Sequence, residues 1–64
     1  MKETILYGYP NSDLNKFEEI LYRCYGYVNL EELKQRSIDW AKENDYTLLR
    51  IDIISMNEIE TITF

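Results

Sequence analysis

PNSDLNKFEEILYRCYG, residues 10–26, is the stretch whose periodicity decides the fold. Its opening, Pro10-Asn11-Ser12-Asp13, combines turn formers with residues that cap helices. From Leu14 onward, Leu14, Phe17, Ile20, Leu21, Cys24 and Tyr25 fall at the spacing of one helical face, with Asn15, Lys16, Glu19 and Arg23 opposite. Gly26 stands where a helix commonly ends in a left-handed residue. The spacing therefore predicts an amphipathic helix over about 12–25.

On the N-terminal side, Thr4-Ile5-Leu6-Tyr7-Gly8-Tyr9 is rich in β-branched and aromatic residues and predicts a strand over about 3–9. On the C-terminal side a second helix has a stronger start signal. Asn29 can cap it, Glu32 completes a capping box, and Val28 and Leu33 are placed for a hydrophobic staple. Its inward stripe is Leu30, Leu33, Ser37, Trp40 and Ala41, its outward side Arg36, Asp39 and Glu43, and Ile38 lies about 100° off the stripe. Asn44-Asp45 is the expected stop.

The remaining residues read as a β-hairpin whose register can be argued. With Met56-Asn57 in the loop, Ser55 faces Glu58, Ile53 faces Glu60, Ile51 faces Ile62 and Leu49 faces Phe64. One face then gathers Leu49, Ile51, Ile53, Ile62 and Phe64, whereas a slip of one residue strands Ile62 and Phe64 on the other side. The element order is β-α-α-β-β. It implies a single α+β domain over 1–64, with two layers: a three-stranded, mainly antiparallel sheet and two helices packed on one of its faces.

At 64 residues such a domain removes only about 60% of its unfolded surface from water, so its core is thin. Cys24, the only cysteine, excludes a disulfide within the chain and suits a reducing compartment; the helical pattern turns it inward. No apolar run approaches the roughly 20 residues of a membrane span, and Met1-Lys2-Glu3 does not begin a signal peptide. A cytoplasmic protein used at its full length is the expectation.

Twelve acidic and seven basic residues give a net charge of −5, and the basic ones form no cluster, which argues against direct nucleic-acid binding. Histidine is absent, and no serine or cysteine has a partner base, so no enzymatic site is expected. Glu18-Glu19 and Glu31-Glu32 are consecutive and diverge on a helix. Asp13-Leu14-Asn15 begins like a calcium loop, but Glu18 occupies the place of its glycine. With Gly8 and Gly26 as the only glycines and a single cysteine, there is neither a phosphate-cradling loop nor a zinc site; no cofactor or metal is expected.

What remains is surface. The hairpin register places Leu48, Ile54 and Ile59 on the sheet face away from the helices, beside Arg50, Asp52, Thr61 and Thr63, and the first strand adds either Leu6 or Tyr7 and Tyr9. Scattered surface apolar residues are ordinary. An open face with unblunted edges in a thin-cored molecule also suits association, with a second copy or a foreign protein. Six tyrosines exceed what so small a core can hold; Tyr22 and Tyr27 join Ile38, Leu48, Ile54 and Ile59 as the expected partner-binding residues.

Glu31, Glu32, Asp39 and Glu43 form an acidic surface, interrupted by Lys34, Arg36 and Lys42. A solvated face is the plain account of it; imitation of a phosphate backbone, occupying a basic nucleic-acid-binding protein, is the functional one. In size and charge, though in no motif, the chain is similar to small accessory proteins of bacteriophages and mobile elements, many of which inhibit host proteins. The expected function is non-enzymatic binding of another protein, with inhibition of that partner and homodimerisation as extensions. The alternatives are the acidic mimic and a structural accessory subunit of a larger assembly.

Overall fold

A computed structural model of the chain describes residues 2–26 and 29–64. It contains β1 (Glu3–Pro10), β2 (Glu19–Tyr25), α1 (Leu30–Glu43), β3 (Tyr46–Ile54) and β4 (Ile59–Thr63). The strands form one antiparallel sheet in the order β2-β1-β3-β4. The α+β class stands, but the three-stranded sheet with two helices does not: among the described residues there are four strands and one helix. β2 and β3 flank β1 and run parallel to each other, and α1 is the crossover that joins them.

The correction lies in residues 12–25. The Asp13 N–H donates to the Pro10 carbonyl at 2.9 Å, and the Asp13 carboxylate accepts from the N–H groups of Asn15 at 3.0 Å and Phe17 at 3.3 Å. Of these donors the Phe17 N–H is the one that a helix over 12–25 would direct to the Asp13 carbonyl, and the Asp13 carboxylate takes it instead, a competition typical of aspartate. Lys16, at φ 56°, turns the chain into β2. The supposed helical anchors Leu14 and Phe17 are 95% and 70% exposed. Glu19–Tyr25, rich in Ile, Leu and Tyr, instead suits a pleated surface and pairs with β1. Gly26 does end the element at positive φ, 118°, but the element is a strand, and its N–H donates to the Lys2 carbonyl.

The second helix and the hairpin form where their sequence signals put them, but Leu30 of the expected inward stripe and Phe64 of the expected core face are each 47% exposed. Asn29 caps α1, its side chain accepting from the Glu32 N–H at 3.2 Å, while the Glu32 carboxylate pairs with Arg36. Val28 of the expected staple lies outside the described residues. Replacing Asn29 by alanine should cost about 1 kcal/mol and lower the thermal midpoint by about 4–8 °C, read by circular dichroism. In the hairpin, Ile51 faces Ile62 and Ile53 faces Glu60, and the Ser55 N–H donates to the Glu58 carbonyl at 2.9 Å.

Two bulges shape the sheet beside β1. Leu6 faces Tyr22 and Tyr7 faces Ile20, which leaves Leu21 as the extra residue of β2; Tyr7 faces Arg50 and Gly8 faces Leu48, which leaves Leu49 extra in β3. Leu21 and Leu48 consequently pack against the core of Leu6, Leu33, Ile51 and Ile53, together with Trp40 and Ile62. This overturns the placement of Leu48 on the outer face, because an unbroken alternation was assumed along a strand that contains a bulge. Buried Ser37 and Ala41, both small, let α1 approach the sheet. Asn11 fastens the end of β1 to the start of β3: its N–H and side-chain amide donate to Asp45, and its side-chain oxygen accepts from Thr47.

Candidate functional site: the β2 edge and the groove beside α1

The outer sheet face is not the bare apolar layer that three strands and two helices implied. Tyr7 lies on it, and the Arg50 guanidinium sits 3.9 Å from the Tyr7 ring centroid. Arg50 also donates to Glu18 and, at 3.5 Å, to Asp52, whose carboxylate accepts from the Thr61 hydroxyl at 2.9 Å. The hydrogen bond to Glu18 is the main cause that raises the Arg50 pKa above its ordinary value. Arg23 pairs with Glu3 at 3.2 Å on the same face. Ile5, between Arg23 and Asp52 in the ladder, is left 4% exposed. The centre of this face is thus closed by charges that satisfy one another.

Of the residues expected to meet a partner there, Ile54 and Ile59 do sit together at one end, directly opposed, with Ile59 exposed. Leu48 belongs to the core, Ile38 is half-buried on α1, and Tyr22 projects to the helix side, tilted against Trp40 at 5.7 Å. Tyr27 lies outside the described residues. These side chains do not form one surface.

A different feature appears on the helix side. One helix about 10 Å wide covers about two strands spaced about 4.8 Å apart. α1 lies chiefly over β3, and the inner face beside β2 stays open. The resulting groove, of about 340 Å³, has Leu6, Tyr22 and Cys24 on the sheet side and Glu32, Leu33, Arg36, Ser37 and Trp40 on the helix side. Trp40, stacked on Tyr46 at 5.4 Å and tilted against Tyr22, fixes its aromatic wall. Cys24 is half-buried in this lining rather than inside a helical core.

All four acidic-surface residues are exposed on α1. Glu32, Asp39 and Glu43 follow one another along the helix shoulder next to the groove, whereas Glu31 is about 100° further round. The row is partly tied down: Glu32 pairs with Arg36 at 2.7 Å, and Asp39 accepts from Gln35 at 3.0 Å.

The sequence reading missed the β2 edge. Among the described residues nine large apolar side chains are exposed, and five of them, Leu14, Phe17, Ile20, Tyr22 and Tyr25, lie on β2 or the loop leading into it. The β-forming composition of Glu19–Tyr25 was the signal that could have found them. No family model, curated protein or solved structure matches this chain. Among the described residues no helix is long and apolar enough to cross a membrane.

Proposed function

We propose that this protein acts without catalysis, by contact with another protein, and that the groove between α1 and β2 seats apolar side chains of that partner. The observation that carries the proposal is the groove itself: an apolar floor left open by one helix over four strands, with an aromatic wall and an acidic shoulder. Its volume is at the lower end of ligand sites, suited to a few side chains rather than to a large cofactor. Glu32, Asp39 and Glu43 favour basic residues flanking the apolar ones, so binding weakens as salt is added. Inhibition of the partner and a cytoplasmic setting, the latter argued from the single thiol, belong to the same proposal. Phosphate mimicry has less support, since Arg36 stands inside the acidic row and pairs with Glu32.

The test fills the groove. Cys24→Phe places a ring over its floor, and Ile59→Ser alters the far end of the outer face. With folding verified by Trp40 emission, a partner recovered from native cells by the wild-type chain should bind Cys24→Phe about tenfold or more weakly and Ile59→Ser unchanged. Equal binding to Cys24→Phe and wild type refutes the groove as the contact.

A further inference from the structure

We infer that β2 is the edge at which a second copy of this chain docks, antiparallel strand against strand, so that one sheet runs through both molecules. β2 is bonded on one side only, to β1. Because the Gly26 N–H donates to Lys2, ladder alternation directs the backbone groups of Cys24 and Tyr22 toward β1 and those of Tyr25 and Arg23 outward. Among the described residues these groups meet no strand. The opposite edge, β4, is shorter, at five residues against seven.

The area is suited to a second copy. Aromatic side chains bury on the order of 150–250 Å² when wholly withdrawn from water; Phe17, Tyr22 and Tyr25 still expose 70%, 48% and 63% of theirs, and with Leu14 and Ile20 they bring several hundred Å² toward the about 800 Å² per partner of a specific interface.

Charge and register also fit. A two-fold axis between Leu21 and Tyr22 sets Ile20 opposite Arg23, Leu21 opposite Tyr22, Glu19 opposite Cys24 and Glu18 opposite Tyr25. Every opposed pair then shares a sheet face. Ile20, opposite Tyr7, and Arg23, paired with Glu3, are on the outer face; Leu21 and Tyr22 are on the helix side. No like charges are opposed, whereas a register centred on Arg23 would set guanidinium against guanidinium. The β2 bulges of the two copies meet each other. Two bodies of net charge −5 repel at a distance, so the pairing strengthens as salt is added, opposite to the salt response of a basic partner in the groove.

Amide hydrogen exchange and sedimentation, from low micromolar to about 1 mM protein and up to about 0.5 M salt, test the inference. The expected result is a dimer in which the Arg23 and Tyr25 amides gain about tenfold or more protection with concentration. Ile20→Lys, which sets a lysine opposite Arg23 at both symmetry-related positions, should weaken the dimer about tenfold or more, and Ile59→Lys on β4 should not. Sedimentation as a monomer throughout overturns the inference, as does a dimer whose new protection falls on β4 or on the outer face, or one indifferent to Ile20→Lys. Should Ile20→Lys fail to fold, the exchange pattern of the wild-type chain alone decides. The inference rests on the strand edge and not on the groove, so an unaltered partner affinity in Cys24→Phe would refute the functional proposal and leave this one standing.

Discussion

Gly8→Ala is expected to remove most of the folding free energy of the protein. A Cβ built on Gly8 falls 2.0 Å from the Thr47 carbonyl oxygen and 2.8 Å from Leu21 Cδ1. The leucine carbon can move, but the carbonyl belongs to the backbone of β3 next to the bulge at Leu49. Relief therefore requires the two central strands to separate at the point where the Asn11, Asp45 and Thr47 bonds hold them together. Overpacking in a well-filled core costs about 1–3 kcal/mol, and a backbone clash in a central pair belongs at or above the top of that range. A domain of this size has only about 3–5 kcal/mol to lose. Gly26→Ala is the control. Among the described residues nothing lies within 4 Å of its added Cβ, and the positive φ of 118° opposes it at about 1–2 kcal/mol. Urea titrations followed by Trp40 emission should show a shifted but cooperative transition for Gly26→Ala and none, or only its tail, for Gly8→Ala. A Gly8→Ala protein with wild-type stability would mean that β1 and β3 are further apart than described.

What could be read from the sequence was set by how many independent signals agreed. At α1 the Asn29 cap, the acidic first turn and the Leu33, Ser37, Ala41 stripe all specify the same helix. In the hairpin, alternation and loop position specify one register, and Ile51 and Ile62 meet as that register requires. Residues 12–25 failed for a physical reason. They are so dense in apolar side chains that a helical period can be fitted to them, while Ile20, Tyr22 and Tyr25 also suit a strand. Only the β1 edge and the local bonds of Asp13 decide between the two. That error propagated to the candidate site. With two helices the inner face would be covered and the outer face would be the only open one; with one helix the opening is beside β2. The closed centre of the outer face was equally hidden, because the stacking of Arg50 on Tyr7 depends on the phase of β1, which the sequence left undetermined.

Ile51→Ala and Phe17→Ser are expected to differ in stability by several kcal/mol, in the order opposite to their expected effects on association. Ile51 is 0% exposed and touches the core from the middle of β3. Truncation there loses the transfer free energy of the side chain and leaves a cavity beneath α1, at about 2–5 kcal/mol, comparable to the whole stability of the domain. Phe17 is 70% exposed and Leu14 95%. Serine at either position should leave the unfolding free energy within about 0.5 kcal/mol of wild type, since neither ring nor isobutyl group is withdrawn from water in the folded monomer. Dimerisation through β2 should nevertheless weaken, because these side chains supply part of the area brought to the second copy. Folding does not require apolar groups at 14 and 17, and their exposure opposes solubility. Their presence next to the β2 edge is what the proposed contact with a second copy would account for. Urea denaturation at low protein concentration, where the monomer predominates, separates the two effects. If Phe17→Ser proved as destabilising there as Ile51→Ala, the loop before β2 would be part of the core, and the contact surface assigned to it would have no basis.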